Sequence, residues 1–313
     1  MRLHVRWTGR ALVLALGACG APAMGPEGDA ASVLADAVTA ADAQLDLDTS
    51  PPDAALPPVP RLAVLDQLAF TREVTPGVAP GFDLDARQSD ARDAASCFKP
   101  DYMSPEGVPG IDNQLAGLVP LLDAFGLGAV EGLVQGSIKE GGLLILLELD
   151  GVDDPVNDTS VGLRLRLGRG TPLLGTDGLL LSGQTFHLHP DTADTPAPNG
   201  RIEEGVLTAG PFDIRMPIVV FGVEYSLPIY GTQLRAALTY DGGLAQGLLG
   251  GAVKVEDVIA IATRANMNAG GVLDAVSVIL NGRGDLEQDA DGACRAISGA
   301  FGFSAVSAFL FDE

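Results

Sequence analysis

Hydrophobic and polar residues alternate through the middle of the chain. Val161, Leu163, Leu165 and Leu167 are separated by Gly162, Arg164 and Arg166, and Phe212, Ile214, Met216 and Ile218 by Asp213, Arg215 and Pro217. Val223, Tyr225, Leu227 and Ile229 repeat the period of two, as do Leu234, Ala236, Leu238 and Tyr240. Successive side chains of a strand point to opposite faces, so each run predicts a strand with one face on a core. The short connections between the runs predict antiparallel pairing. Leu143–Leu149 is more continuously apolar and predicts a central strand buried on both faces.

On either side the period becomes helical. Asp112–Gly136 carries Leu115, Leu118, Val119, Leu122 and Phe125 at helical spacing, with Asp112 as its candidate cap. Asn113 and Gln114 are placed to bond neighbouring backbone. Pro120 and Gly126, Gly128 and Gly132 predict that this helix is broken or kinked. Val255–Ala265 and Val272–Leu280 predict two more helices, and Ile297–Leu310 a short helix or buried apolar segment. The order helix, strands, helices implies an α+β domain over residues 61–313. It would have an antiparallel sheet or sandwich of about six to eight strands, packed with a kinked N-terminal helix and C-terminal helices.

The N-terminus has a different pattern. Arg2, Arg6 and Arg10 precede the apolar run Ala11–Leu16, and Leu16-Gly17-Ala18-Cys19 follows. A bilayer span takes about 20 apolar residues, so this run is too short to be one. A basic start, a short apolar stretch and small residues before a cysteine predict a lipoprotein signal over residues 1–18, with Cys19 the acylated residue. A secretory signal without lipid is the alternative. Gly20 rather than Asp follows Cys19, which by the sorting rule of enteric bacteria favours the outer membrane. Residues 19–60 are rich in Ala, Asp and Pro and contain no Lys or Arg. They read as a flexible acidic tether, and about 40 residues of coil span roughly 35 Å root-mean-square.

Charge narrows the partners. The 313 residues carry a formal net charge of −22, and loss of residues 1–18 makes the balance more negative still. Such a chain has no electrostatic footprint for nucleic acid and is repelled by anionic headgroups, so the lipid must hold it at the membrane. A hydrophobic content of 47% nevertheless allows a large core.

With Cys19 assigned to lipid, Cys97 and Cys294 remain in an oxidising compartment and predict a disulfide. Their closed loop of about 200 residues is worth roughly 5 kcal/mol in the chain-entropy model. That bond would bring together two acidic segments. Asp83, Asp85, Asp90 and Asp93 precede Cys97, and Asp285, Glu287, Asp289 and Asp291 precede Cys294. Two carboxylates about 4 Å apart repel by about 1 kcal/mol even in water. Separation into solvent, a local arginine such as Arg87 or Arg92, or a hard cation must offset this. Ca²⁺ takes six to eight oxygens, and Asp83, Asp85, Asp90, Asp285, Glu287, Asp289 and Asp291 are its candidate ligands. Glu287–Gly292 resembles the first half of an EF-hand loop, but Ser298 stands where that loop needs a bidentate Glu.

Other chemistries find little support. His187 and His189 share one strand face about 7 Å apart, with Asp191 beside them, but nothing else in the sequence completes a metal site. The preferred reading is a solvated strand face. No nucleophile elbow, His-Glu-x-x-His, P-loop or dinucleotide fingerprint occurs, so no catalytic residue is assigned. A hydrolase using paired carboxylates stays open, although the only tryptophan, Trp7, lies in the signal and leaves no indole platform for a sugar. Arg283-Gly284-Asp285 is a chance tripeptide.

Three segments together resemble predicted lipoproteins of myxobacteria and related bacteria. They are Phe82-Asp83-Leu84-Asp85 leading through Ser89-Asp90 to Cys97, the run from Ser104 to Leu115, and Gly284-Asp285-Leu286-Glu287 leading to Cys294. The resemblance covers roughly residues 82 to 313. It implies an exported lipoprotein and carries over no catalytic residue. The expectation is a membrane-tethered envelope domain that binds or supports rather than catalyses. The alternative is a carrier of an apolar or lipid-like ligand, which would need a cavity of several hundred cubic ångströms.

Overall fold

The computed structural model describes residues 61–124, 129–220, 223–265 and 272–311. The signal, Cys19 and the tether lie outside the described residues. The chain runs β1 (Arg61–Phe70), α1 (Gln114–Ala124), α2 (Ala129–Glu140), β2 (Leu144–Asp150), β3 (Gly162–Arg169), β4 (Gln184–Leu188) and β5 (Thr195–Ala197). It continues through β6 (Arg201–Glu203), β7 (Val206–Val220), β8 (Val223–Leu238), β9 (Leu244–Lys254), α3 (Val255–Arg264), α4 (Val272–Asn281), β10 (Leu286–Gln288) and β11 (Cys294–Leu310). Among the described residues strands outweigh helices by about two to one, so the fold is sheet-rich with few helices.

Eleven strands form one sheet, more than the alternating runs predict. The path β1-β2-β3-β4-β11 returns to β1 through a further β1–β11 pairing, which closes a ring. From the same β11 a second branch runs through β9, β8 and β7 to β6. The pairings are antiparallel except that β4 runs parallel to β11, so the sheet is mixed. The two alternating runs from Val223 to Tyr240 merge into the single strand β8.

Ile297–Leu310 is not a helix. It lies within the 17-residue strand β11, the last element among the described residues, as the strand β1 is the first. The reason is burial on both faces. Ala296 to Ala300 are all buried in succession, with Ile297 in a second core beside Leu118, Val255 and Leu280, and further along Phe303, Ala305 and Ala308 enter the main core with Leu62, Leu146, Leu163 and Phe186. A strand covered on both sides loses its period of two and reads as an apolar run. The same loss hides β1, where Leu62 to Leu65 are all buried.

Helices cover what the strands leave open. β1 pairs with β2 only as far as Val64, and α2 serves the edge beyond it. Gln135 donates to Asp66 O at 2.6 Å, and Glu131 accepts from Phe70 N at 2.7 Å. α1, α3 and α4 build the second core on the first half of β11.

The long segment from Thr71 to Asn113 packs against the central strands where they carry glycine. A Cβ on Gly250 of β9 would stand 2.5 Å from the Phe82 ring, and one on Gly299 of β11 3.0 Å from Leu115. These bare positions seat the acidic segment on the sheet.

Candidate functional site

Antiparallel bridges order the acidic segment. Asp112 N donates to Phe82 O at 2.9 Å, which sets Asp112 beside the turn Asp83-Leu84-Asp85. Asp112 Oδ2 accepts from Leu84 N at 2.7 Å and Asp85 N at 3.4 Å. Carboxylate oxygens of Asp83, Asp85 and Asp112 come within 4.8 Å of one another. Asp101 joins them, its Oδ2 accepting from Ser89 N at 2.6 Å. Arg87, the nearest arginine in sequence, turns instead to Asp93 at 2.8 Å.

Burial sets the protonation of this group. Asp112 is 3% exposed, and burial pushes its carboxyl up to about 8, with the charges of Asp85, Asp101 and Asp285 adding to the rise. Burial also holds Asp101 above the usual range, reinforced by Asp85 and Asp83. Asp285 is pushed up to about 7 by burial, against the bonds it accepts from Ser298 N at 2.8 Å and Ser298 Oγ at 2.5 Å.

Asp112 is therefore not the helix cap. Asn113 takes that role: its Oδ1 accepts from Ala116 N at 3.2 Å, while its Nδ2 donates to Thr71 Oγ1 and Pro80 O. Gln114 Nε2 donates to Pro100 O, so both amides brace the segment.

Of the seven candidate Ca²⁺ ligands, the structure brings Asp83 and Asp85 into one trio with Asp112. Asp90 bonds the amide of Arg92 in an exposed turn. Asp285 is nearby, but both of its oxygens are engaged by Ser298. Glu287 pairs with Lys254 at 3.1 Å. Asp289 accepts from Asp291 N and Ala293 N at 2.9 Å each and pairs with Arg295, which closes the turn that resembles half an EF-hand. Asp291 lies exposed in that turn. The trio could hold a cation, but it offers three donors where Ca²⁺ takes six to eight.

Cys97 and Cys294 are joined, with Cα atoms 6.0 Å apart. The bond fastens the two acidic loops together, and Gln288 Nε2 reinforces it by donating to Ala94 O at 2.6 Å.

The two histidines part company. The His187 ring lies 4.7 Å from that of Phe311. His189 Nδ1 accepts from Asp191 N and lines a cleft of about 500 Å³ between β3 and the β7–β8 hairpin. Leu165, Leu167, Ile214 and Met216 give this cleft apolar walls, and Arg166 and Arg215 stand among its polar groups. Arg166 also approaches Glu148 at 3.3 Å and Asp194 at 3.4 Å. The alternating runs announce these strands, but only the long-range placement of the hairpin against β3 makes the space.

Among the described residues no helix is long and apolar enough to cross a membrane. Comparison of the chain with protein-family models, curated proteins and solved structures yields no match.

Proposed function

We propose that this chain is a lipoprotein of the cell envelope, held by acylated Cys19 at the outer membrane, whose folded part is a non-enzymatic binding domain. The cleft between β3 and the β7–β8 hairpin carries the binding reading. Its volume of about 500 Å³ falls within the range of small-molecule sites, and its mixture of apolar walls with a few polar groups is the usual composition of such sites. The ligand class it supports best is apolar or lipid-like, with a polar end that Arg215 and His189 can meet.

The carboxyl cluster speaks for structure rather than hydrolysis. General acid catalysis needs a proton-holding carboxyl within reach of the substrate. Asp112 holds a proton but is buried, and its Oδ2 is bonded to backbone amides.

Native mass spectrometry of the protein purified from membranes tests the proposal. Wild type is expected to carry an acyl mass on Cys19 and a co-purifying ligand. Met216→Trp, which fills the cleft, should lose the ligand while keeping the acyl mass. A ligand retained equally by Met216→Trp would overturn the cleft as its site, and an unmodified Cys19 would overturn the anchor.

A further inference from the structure

The end of β11 lies beside the point where the chain enters the folded part. Ala308 pairs with Leu62 on one edge and with Gln184 on the other, so Phe309 stands next to Arg61, the first described residue. Phe309 and Phe311 are nevertheless 59% and 58% exposed. The loop before β4 adds Leu173 and Leu181, 64% and 46% exposed. The Gln184 side chain ties both to this place, bonding Leu173 N and O and Leu181 O at 2.6, 3.0 and 2.6 Å. Gly183 N fastens the loop to Ser307 O at 2.7 Å. Single exposed apolar residues are ordinary, but a group of them gathered at one end marks an interaction surface.

Arg61 precedes Leu62, and Arg169 pairs across the sheet with His187. Lys139 Nζ lies near Gly178 in the same loop, and these cations stand among the acids Asp177, Asp150 and, after Phe311, Asp312 and Glu313, so what distinguishes this face is its apolar side chains.

We propose that this end, with Phe309, Phe311, Leu173 and Leu181, is the face by which the folded part rests on the bilayer, its apolar side chains entering the headgroup–acyl boundary. The inference builds on the lipid-anchor reading. About 40 residues separate Cys19 from Arg61, and a coil of that length spans roughly 35 Å. The anchor therefore keeps Arg61 close to the membrane, at an effective concentration on the order of millimolar. A weak interfacial face is populated under that condition, and an acyl chain plus a second signal gives stable attachment. The surface next to Arg61 is the one at which the chain coming from Cys19 joins the described residues.

Fluorescence quenching by brominated phosphatidylcholine tests this on the full lipidated chain. The lipidated chain has lost the signal with Trp7, so an indole introduced by Phe309→Trp or Phe311→Trp is its sole tryptophan. Vesicles with brominated acyl chains are expected to lower its emission at least twofold relative to unbrominated ones. Val74→Trp, at an exposed site beyond the opposite end of β1, should show no change. The acyl mass on Cys19 is read on the same sample. If that mass is absent, the anchor reading falls. If it is present and neither Phe309→Trp nor Phe311→Trp is quenched, the face proposal falls. Loss of quenching accompanied by dimers in light scattering would assign the face to a second copy and overturn the proposal equally.

Discussion

The two acidic loops joined by Cys97 and Cys294 have similar compositions, but their carboxyls shift in opposite directions, the buried cluster around Asp112 upward and the turn around Asp289 downward. In the loop around Asp83–Asp112, the exposed Asp83 and the half-buried Asp85 and Asp101 crowd the buried Asp112, and Asp112 and Asp101 titrate above their usual range. In the turn at the end of the second loop, the half-buried Asp289 accepts two backbone amides and pairs with Arg295, so its carboxyl lies below the usual range, whereas Asp285 at the start of that loop is buried and shifts up as Asp112 does. Asp93, in the first loop but bonded to Ala95 N and Arg87, behaves like Asp289. Counting acids does not predict cation binding. What decides is whether each carboxylate finds donors before it meets another carboxylate.

The disulfide holds this contrast in place, so breaking it should have the largest effect. Cys97→Ser with Cys294→Ser frees a loop with a sequence separation of 197. The chain-entropy model puts the loss at about 5 kcal/mol as an upper figure. Thermal melts of the double variant should show a larger fall in midpoint than any single substitution in either loop. The dependence of that midpoint on pH should also flatten as water reaches the first loop. An unchanged midpoint would show that the loops stay together without the bond.

The pH dependence of wild type tests the buried half directly. The folded state holds the Asp112 proton up to about 8, against 3.8 for the free carboxyl. Between those values the folded state binds more protons than the unfolded one, so stability must fall as pH rises. The contribution is fully present below about pH 4 and lost through pH 8, and each tenfold gain in proton affinity on folding is worth about 1.4 kcal/mol. Asp285, pushed up to about 7, adds in the same direction. Asp112→Asn keeps an acceptor for Leu84 N and has no charge to bury. It should melt like wild type at pH 3.5 and above wild type at pH 8.5, where its stability exceeds that of wild type by an amount on the order of a few kcal/mol. EDTA and millimolar Ca²⁺ should leave the wild-type midpoint at pH 8 alike. A midpoint lowered by EDTA would mean that a cation, not a proton, relieves the cluster.

Much of the fold was legible in the sequence, and the exceptions share a cause. β3 and β7 alternate because one face of each is partly exposed, and α3 and α4 show their helical period for the same reason. β1 and β11 do not alternate, because consecutive residues of each, Leu62 to Leu65 and Ala296 to Ala300, are buried on both faces. The disulfide followed from compartment and cysteine number. Asp83 and Asp85 were visible as a pair, but their partner was not. Asp112 is a good cap residue, yet Asn113 is equally good and stands next to the helix. The bridge from Asp112 to Phe82, which decides between them, depends on the bare surface at Gly250. The cleft depends on where a hairpin comes to rest, which no local pattern encodes.

The smallest effect lies in the exposed half, and its sign is opposite. Asp289 has a lowered carboxyl, first through the bond from Ala293 N and then through Arg295. Its contribution is therefore present above the free value of 3.8 and lost as pH falls through the lower folded value. Acid should loosen this turn under conditions where the Asp112 site is most stable. Amide hydrogen exchange reads both loops at once after correction for intrinsic rates. From pH 6 to pH 3, Asp291 N–H and Ala293 N–H should lose protection while Leu84 N–H gains it. Asp289→Ala should remove the protection of the first two at every pH and leave Leu84 N–H unchanged. If all three amides moved together, the disulfide would be coupling the loops into one titrating body and the contrast between them would fail.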